Sequence, residues 1–249
     1  MFRGVPPRSA HCGLRDPRIA ISGRIMSLLL LLLLFVLSAD AKTFAVGPDD
    51  SLQGAIFMAR TGDVVLVSEG TYYEHIRVDK SIILRGQMMP VLDATASGSA
   101  IILLADGITV EGFKIVNAGS WPSESPAEAG IKVLSEGNRI IKNDVSNNFN
   151  GILLVSVKNN SILDNTVCRN LGYGIRLEKA FGNTICNNSL EENLLDAFDE
   201  GLNFWDGNYY SELNNSAVGR MDRGNGQSGR GYSIPGGRSV DEHPRNGIL

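Results

Sequence analysis

The 249-residue sequence predicts an all-β fold, a parallel β-solenoid closed at its N-terminal end by one short helix. Three observations carry this: a repeat of about 22 residues, β-forming runs too short for helices, and Asn recurring at fixed places in the repeat. Gly130-Ile131-Lys132-Val133, Gly151-Ile152-Leu153-Leu154 and Gly174-Ile175-Arg176-Leu177 open three similar units. The first continues with Asn138, Ile140, Asn143, Val145 and Asn148. The second has Asn160, Ile162, Asn165, Val167 and Asn170, and the third Asn183, Ile185, Asn188, Leu190 and Asn193. About three short strands per ~22 residues make one turn, and each turn pairs with the next at ~4.8 Å. The aliphatic columns then stack inside. The Asn columns fall at bends, where Asn tolerates left-handed backbone angles, and stacked amides bond along the axis as ladders. A sandwich or barrel would need hairpins, and two-residue Asn-Gly turns are scarce.

The elements follow in order. Ile25 to Leu37 is an apolar run with seven consecutive leucines, too short to span a bilayer comfortably. It ends in Ser38-Ala39-Asp40-Ala41, an A-x-A cleavage site. A secretory signal peptide cut after Ala41 is expected, with transient passage through a membrane; a retained anchoring helix is the alternative, and the start is open between Met1 and Met26. Cleavage removes five Arg against Asp16 and Asp40, leaving 18 basic and 25 acidic residues, or −7. Such a balance gives nucleic acid no basic footprint. Ser51 to Arg60 is amphipathic, with Leu52, Ala55, Ile56 and Ala59 on one face and Asp50 or Ser51 as cap, so it plugs the first coil. Short β-runs follow at Val64-Val65-Leu66-Val67, Ile82-Ile83-Leu84, Ala100-Ile101-Ile102-Leu103 and Thr109-Val110. Phe204, Trp205, Tyr209 and Tyr210 mark the other end as a lid. Residues 214–249 are Gly- and Ser-rich and read as loosely held, which sets domain bounds of 1–41, 42–213 and 214–249.

Chemistry is sparse. Three Cys match neither a zinc site nor a disulfide framework, and no cofactor is expected. Polysaccharide enzymes of this architecture work through stacked carboxylates, and no outward column holds two; Asp144 and Asp164 come nearest, one coil apart in neighbouring columns. Acids at Glu191, Glu192, Asp196, Asp199 and Glu200 read as a solvated rim. The loop from Gly119 to Ala129 interrupts the repeat, and Trp121 there suits stacking on a sugar ring, with Glu124 or Glu128 bonding hydroxyls; the competing reading is a polar turn with Trp121 folded onto the coil. Asn159, Asn187 and Asn214 begin N-glycosylation sequons. Of these, Asn214 is expected to be modified most readily and Asn159 least, because a sugar there would crowd adjacent coils.

Gly62-Asp63, Gly70-Thr71-Tyr72-Tyr73-Glu74, Lys80-Ser81-Ile82 and Gly112-Phe113-Lys114-Ile115 resemble the opening of NosD-like β-helix proteins, the periplasmic copper-associated family. Asn203-Phe204-Trp205-Asp206-Gly207-Asn208-Tyr209-Tyr210-Ser211 resembles the family's cap, and Tyr232-Ser233-Ile234-Pro235-Gly236-Gly237 with Val240-Asp241 its C-terminal signature. The resemblance covers nearly all of 42–249 and is strongest to exported surface proteins of methanogenic archaea. It implies a right-handed single-stranded parallel β-helix of the carbohydrate-binding and sugar-hydrolase type. The family's acidic stretch before that signature is here Met221-Asp222-Arg223-Gly224-Asn225, too poor in oxygen ligands for calcium. Copper would want His, Met or Cys, but His75 and His243 lie far apart, and Cys168 and Cys186 occupy different columns, so no metal site is carried over. The expectation is a secreted or cell-surface protein that binds carbohydrate or another envelope component without catalysis. The alternative is a polysaccharide lyase, hydrolase or epimerase around Asp144, Asp164 and the 119–129 loop.

Overall fold

The computed structural model describes residues 40–119, 128–211 and 231–245. Within residues 41–249 the described chain is a parallel β-solenoid of about seven turns. Three sheets of ten, seven and six strands run along its axis. Coils 1 to 7 comprise residues 64–78, 83–103, 109–133, 139–155, 161–178, 184–199 and 204–210. Coil 5 shows the plan, with Ser161–Leu163 in the first sheet, Thr166–Cys168 in the second and Tyr173–Glu178 in the third. Inside, Ile140, Ile162 and Ile185 align and are fully buried, as are Val145, Val167 and Leu190. Burying a side chain of this size contributes about 1.5–3 kcal/mol, and the repeat supplies one at each such place in every coil.

The repeat glycines answer to a close approach. Gly151 is the second residue of the third-sheet strand Asn150–Val155, beside an Asn ladder, and a Cβ there would stand 2.5 Å from both the Gly174 carbonyl oxygen and Val167 Cγ1. Gly130 and Gly174 are equally confined, at 2.6 Å from their nearest neighbours. Gly151→Ala is therefore expected to cost about 1–3 kcal/mol by overpacking, read as a lower urea midpoint.

Three Asn ladders stand at the three corners of the coil. Asn138, Asn160, Asn183 and Asn203 form the first; Asn143, Asn165, Asn188 and Asn208 the second; Asn148, Asn170 and Asn193 the third. After the first Asn of each ladder, whose Oδ1 accepts from the N–H of Ile108, Phe113 or Ala118, each Oδ1 accepts from the backbone N–H and the side-chain amide of the Asn one coil earlier, as Asn165 does from Asn143 at 3.0 and 3.1 Å. Nδ2 of Asn165 also donates to the Ile140 carbonyl at 2.9 Å. The left-handed backbone falls one residue earlier, at Lys142, Asn147, Asn159, Asp164, Arg169, Asn187 and Glu192, with φ of 52–58°. Backbone tolerance is thus the wrong reason for the ladder Asn, which serve through their amides. In the doublets 147–148, 159–160 and 187–188, the first Asn bends the chain and the second bonds inward.

Both ends are closed. Leu52–Met58 is the helix, with Ser51 as N-cap and Leu52 and Ile56 buried. Glu74 accepts the Leu52 and Gln53 N–H groups at 2.7 and 2.9 Å, and Lys80 Nζ donates to the carbonyls of Ile56, Phe57 and Ala59. An anion at the N-terminus and a cation at the C-terminus both match the helix dipole. The Gln53 amide pairs in both directions with the Arg77 backbone, standing in for a further strand. A strand precedes the helix, Thr43–Val46 paired with Val64–Val67; only this pairing distinguishes its four residues from loop.

At the other end residues 231–245 are tightly held, which corrects the expectation of a loose extension. Val240–Asp241 extends the first sheet, Pro235 accepts from the Asp199 N–H of the third, and Arg245 bridges to Tyr209 of the second. Exposed sheet edges would template association, and this strap occupies an edge of each sheet. It also ends two ladders. All Oδ1 atoms face the N-terminal end, so the row of acceptors runs out at coil 7. There Ser239 Oγ accepts the Asn203 N–H, and the Asp241 carboxylate, without exposure, accepts from Gly207 N, Asn208 N, Asn208 Nδ2 and Tyr210 Oη.

Candidate functional site

On the outer face of the third sheet, Arg77, Ile102, Lys132, Leu153, Arg176 and Phe198 align on successive coils. At coils 5 and 6 this row becomes aromatic and charged. The Arg176 guanidinium lies 4.7 Å from the Tyr173 ring centroid and 5.7 Å from that of Phe198. The two rings are 5.3 Å apart, tilted by 54°. Arg176 Nη2 sits 2.7 Å from Glu178 Oε1, while its Nε is buried with no hydrogen-bond partner. A planar guanidinium clamped this way has lost its rotamer freedom before any ligand arrives, and keeps an unused donor.

Leu177 pairs with Asp199, so Glu178 and Glu200 occupy the next outward column one coil apart. This corrects the reading that no outward column holds two carboxylates. Each has its own partner: Glu178 the Arg176 guanidinium, and Glu200 the Lys179 N–H at 3.2 Å. Sequence reasoning missed Tyr173, Phe198 and this pair because coil 6 has Asp196 where the repeat has Gly174. Carrying the Lys132, Leu153, Arg176 column one unit further would have placed Phe198 and Glu200.

An apolar ridge adjoins the site at the second-to-third corner. Phe149, Leu171 and Leu194 follow one another on coils 4 to 6, and Leu171 and Leu194 are 55% and 72% exposed. Beside it opens a cleft of about 300 Å³ lined by Ala96, Asn117, Gly119, Asn147, Phe149 and Leu171. Aromatic and apolar faces here lie beside a guanidinium and carboxylates, a combination that offers both flat apolar contact and charge-assisted hydrogen bonds.

Residues singled out from the sequence fall elsewhere. Trp121 and Glu124 lie outside the described residues. Glu128 leads into the coil 3 third-sheet strand, its carbonyl accepting from Asn150 Nδ2 at 2.8 Å. Asp144 is on the outer face of the second sheet, aligned with Lys114 and Thr166; Lys114 Nζ is 3.7 Å from Oδ2, and Oδ1 is buried without a hydrogen-bond partner. Asp164 is exposed at a left-handed bend. Asp144 and Asp164 are diagonal neighbours at one end of the second sheet, with Gly119 and Glu128 at its other end.

The acidic rim also resolves differently. Asp196 and Asp199 have no exposure; Asp199 accepts from Trp205 Nε1 at 2.9 Å and Asn203 Nδ2 at 2.8 Å, and Asp196 from Ser211 Oγ and Asn193 Nδ2. These carboxylates serve the ladder ends. No helix among the described residues is long and apolar enough to cross a membrane.

A family model described as Periplasmic copper-binding protein (NosD) matches residues 61–225. Searches of curated proteins and of solved structures find no match. Copper ligands do not converge among the described residues, where no three of His, Cys, Asp and Glu come together. His75 Nδ1 bonds the Ser99 carbonyl in the first coils, and His243 Nδ1 is 2.6 Å from Asp206 Oδ1 in the strap. Among the described residues the thiols of Cys168 and Cys186 are free, and burial pushes Cys168 up and Cys186 up to about 11, away from the thiolate a metal requires. These residues do not fit a copper centre.

Proposed function

The chain belongs to the NosD family, and from that premise we propose that it is an exported β-helix protein that binds extracellular or cell-envelope carbohydrate without catalysis. The observation that carries this reading is the Arg176 guanidinium, packed against both Tyr173 and Phe198, which also touch each other, and paired with Glu178. The exposed part of the guanidinium can meet a ligand with its packed geometry already in place, so little ordering opposes binding. Strands of six and five residues, flanked by the ladders, give the surface the rigidity that recognition of a flexible glycan needs.

Glu178 and Glu200 favour a second reading, a polysaccharide lyase, hydrolase or epimerase. Carboxylates one coil apart are spaced at ~4.8 Å along the backbone, near the ~5–5.5 Å separation of retaining glycosidases. Their separate partners weigh against it, because a shared proton or a water between them would require both to turn away.

The purified chain, offered an array of neutral and uronic oligosaccharides, is expected to retain a defined subset. Reducing-sugar and unsaturated-product assays on the matching polymers are expected to stay flat. Turnover abolished by both Glu178→Gln and Glu200→Gln would replace the first reading with the second.

A further inference from the structure

We propose that Asn159 is an N-glycan acceptor, its sugar lodged between two glycines at the corner joining the third sheet to the first. Asn159-Asn160-Ser161 is a sequon, and the fold separates its two Asn. Asn160 is buried in a ladder, bonded to Asn138 and Asn183. Asn159 is exposed at φ 58°, and its amide makes no hydrogen bond among the described residues. Because the ladder aligns Asn138, Asn160 and Asn183, the neighbours of Asn159 along the axis are Gly137 and Gly182. Gly137 N–H donates to the Lys158 carbonyl, and a Cβ built on Gly182 would still be 3.8 Å from Asn159 Oδ1. No side chain stands directly above or below. Crowding of adjacent coils, the reason for expecting least modification here, does not arise. The exposed Phe181, paired with Lys158 one coil back, offers the first sugar an apolar face.

Asn187 makes the contrast. A Cβ on its neighbour Gly207 would lie 2.7 Å from Asn187 Oδ1, and Arg245 Nη2 donates to its carbonyl at 3.1 Å. The hydroxyl of its sequon belongs to Ser189, which is buried and donates to Glu191 Oε1 at 2.7 Å. The corresponding Ser161 is only half-buried, at the start of a first-sheet strand. Asn214 lies outside the described residues.

The donor is a lipid-linked oligosaccharide phosphate or pyrophosphate met during export. Asn159 Nδ2 forms a bond to C1 of the first sugar, the C1–O bond to phosphate breaks, the lipid phosphate leaves with the electron pair, and Nδ2 gives up one proton. No oxidation or reduction is involved.

The test is intact-mass measurement and glycopeptide mapping of the full chain isolated from the cells that naturally make it. The peptide holding Asn159 is expected to carry a glycan, and the peptide holding Asn187 to be bare. Asn159→Gln should remove the added mass, as should Ser161→Ala, which keeps the asparagine and so separates glycosylation from other Asn chemistry. Asn187→Gln should leave it unchanged. A bare Asn159 in the native protein, or occupancy at Asn187 in its place, would overturn the proposal.

Discussion

Asp241→Ala is expected to destabilise the solenoid by about 3–5 kcal/mol, since it strands several buried donors around a site built for an anion. Four donors converge on this carboxylate from coil 7, and His243 N–H adds a fifth at 3.1 Å from within the strap. Alanine would leave them facing a dry gap and release Val240–Asp241 from the first sheet. Asp241→Asn preserves the shape and behaves as one more rung, its amide oxygen accepting from Asn208 N, Asn208 Nδ2 and Tyr210 Oη but its NH2 meeting the Gly207 and His243 N–H groups where the other carboxylate oxygen stood. Its cost should be intermediate, about 1–2 kcal/mol. Urea denaturation of both variants reads this directly. Parent-like midpoints for Asp241→Ala would mean that the donors are satisfied elsewhere and that the strap does not end the ladder.

Asn165→Leu should follow closely, at about 3 kcal/mol, because it cuts a ladder at its middle and leaves buried partners on both sides. The Asn143 N–H and side-chain amide lose their acceptor, and Asn188 Oδ1 and the Ile140 carbonyl lose a donor. The control lies in the preceding coil corner: Asn159→Gln, at an exposed bend, should leave the thermal midpoint where it was. Equal midpoints for Asn165→Leu and the parent would place Asn165 in solvent and void the ladder register.

The fold was legible because a solenoid writes its period into the sequence. Glycine recurs at intervals of 21 and 23 residues from Gly130 to Gly174, and asparagine and aliphatic at 22 and 23 from Asn138 to Leu190, since every coil meets the same neighbours. Features without that period stayed hidden. Thr43–Val46 is strand only by its pairing with Val64–Val67, and the strap follows a Gly-rich stretch and repeats nothing. Asp196, Asp199 and Asp241 look like surface charges until the ladders are seen to run short of acceptors at coil 7. The candidate site was half visible. Arg176 stood in a recognised outward column, but Phe198 and Glu200 belong to coil 6, whose glycine is replaced by Asp196. Functional groups gather where the repeat loosens.

Whether the third sheet binds carbohydrate through Arg176 is decided by calorimetric titration of an array-retained oligosaccharide against the parent chain and Arg176→Ala. Removing the clamped guanidinium should weaken binding at least tenfold, about 1.4 kcal/mol, while Asp144→Asn on the second sheet leaves the affinity unchanged. Equal affinity for the parent and a folded Arg176→Ala chain, or loss on Asp144→Asn instead, would contradict it.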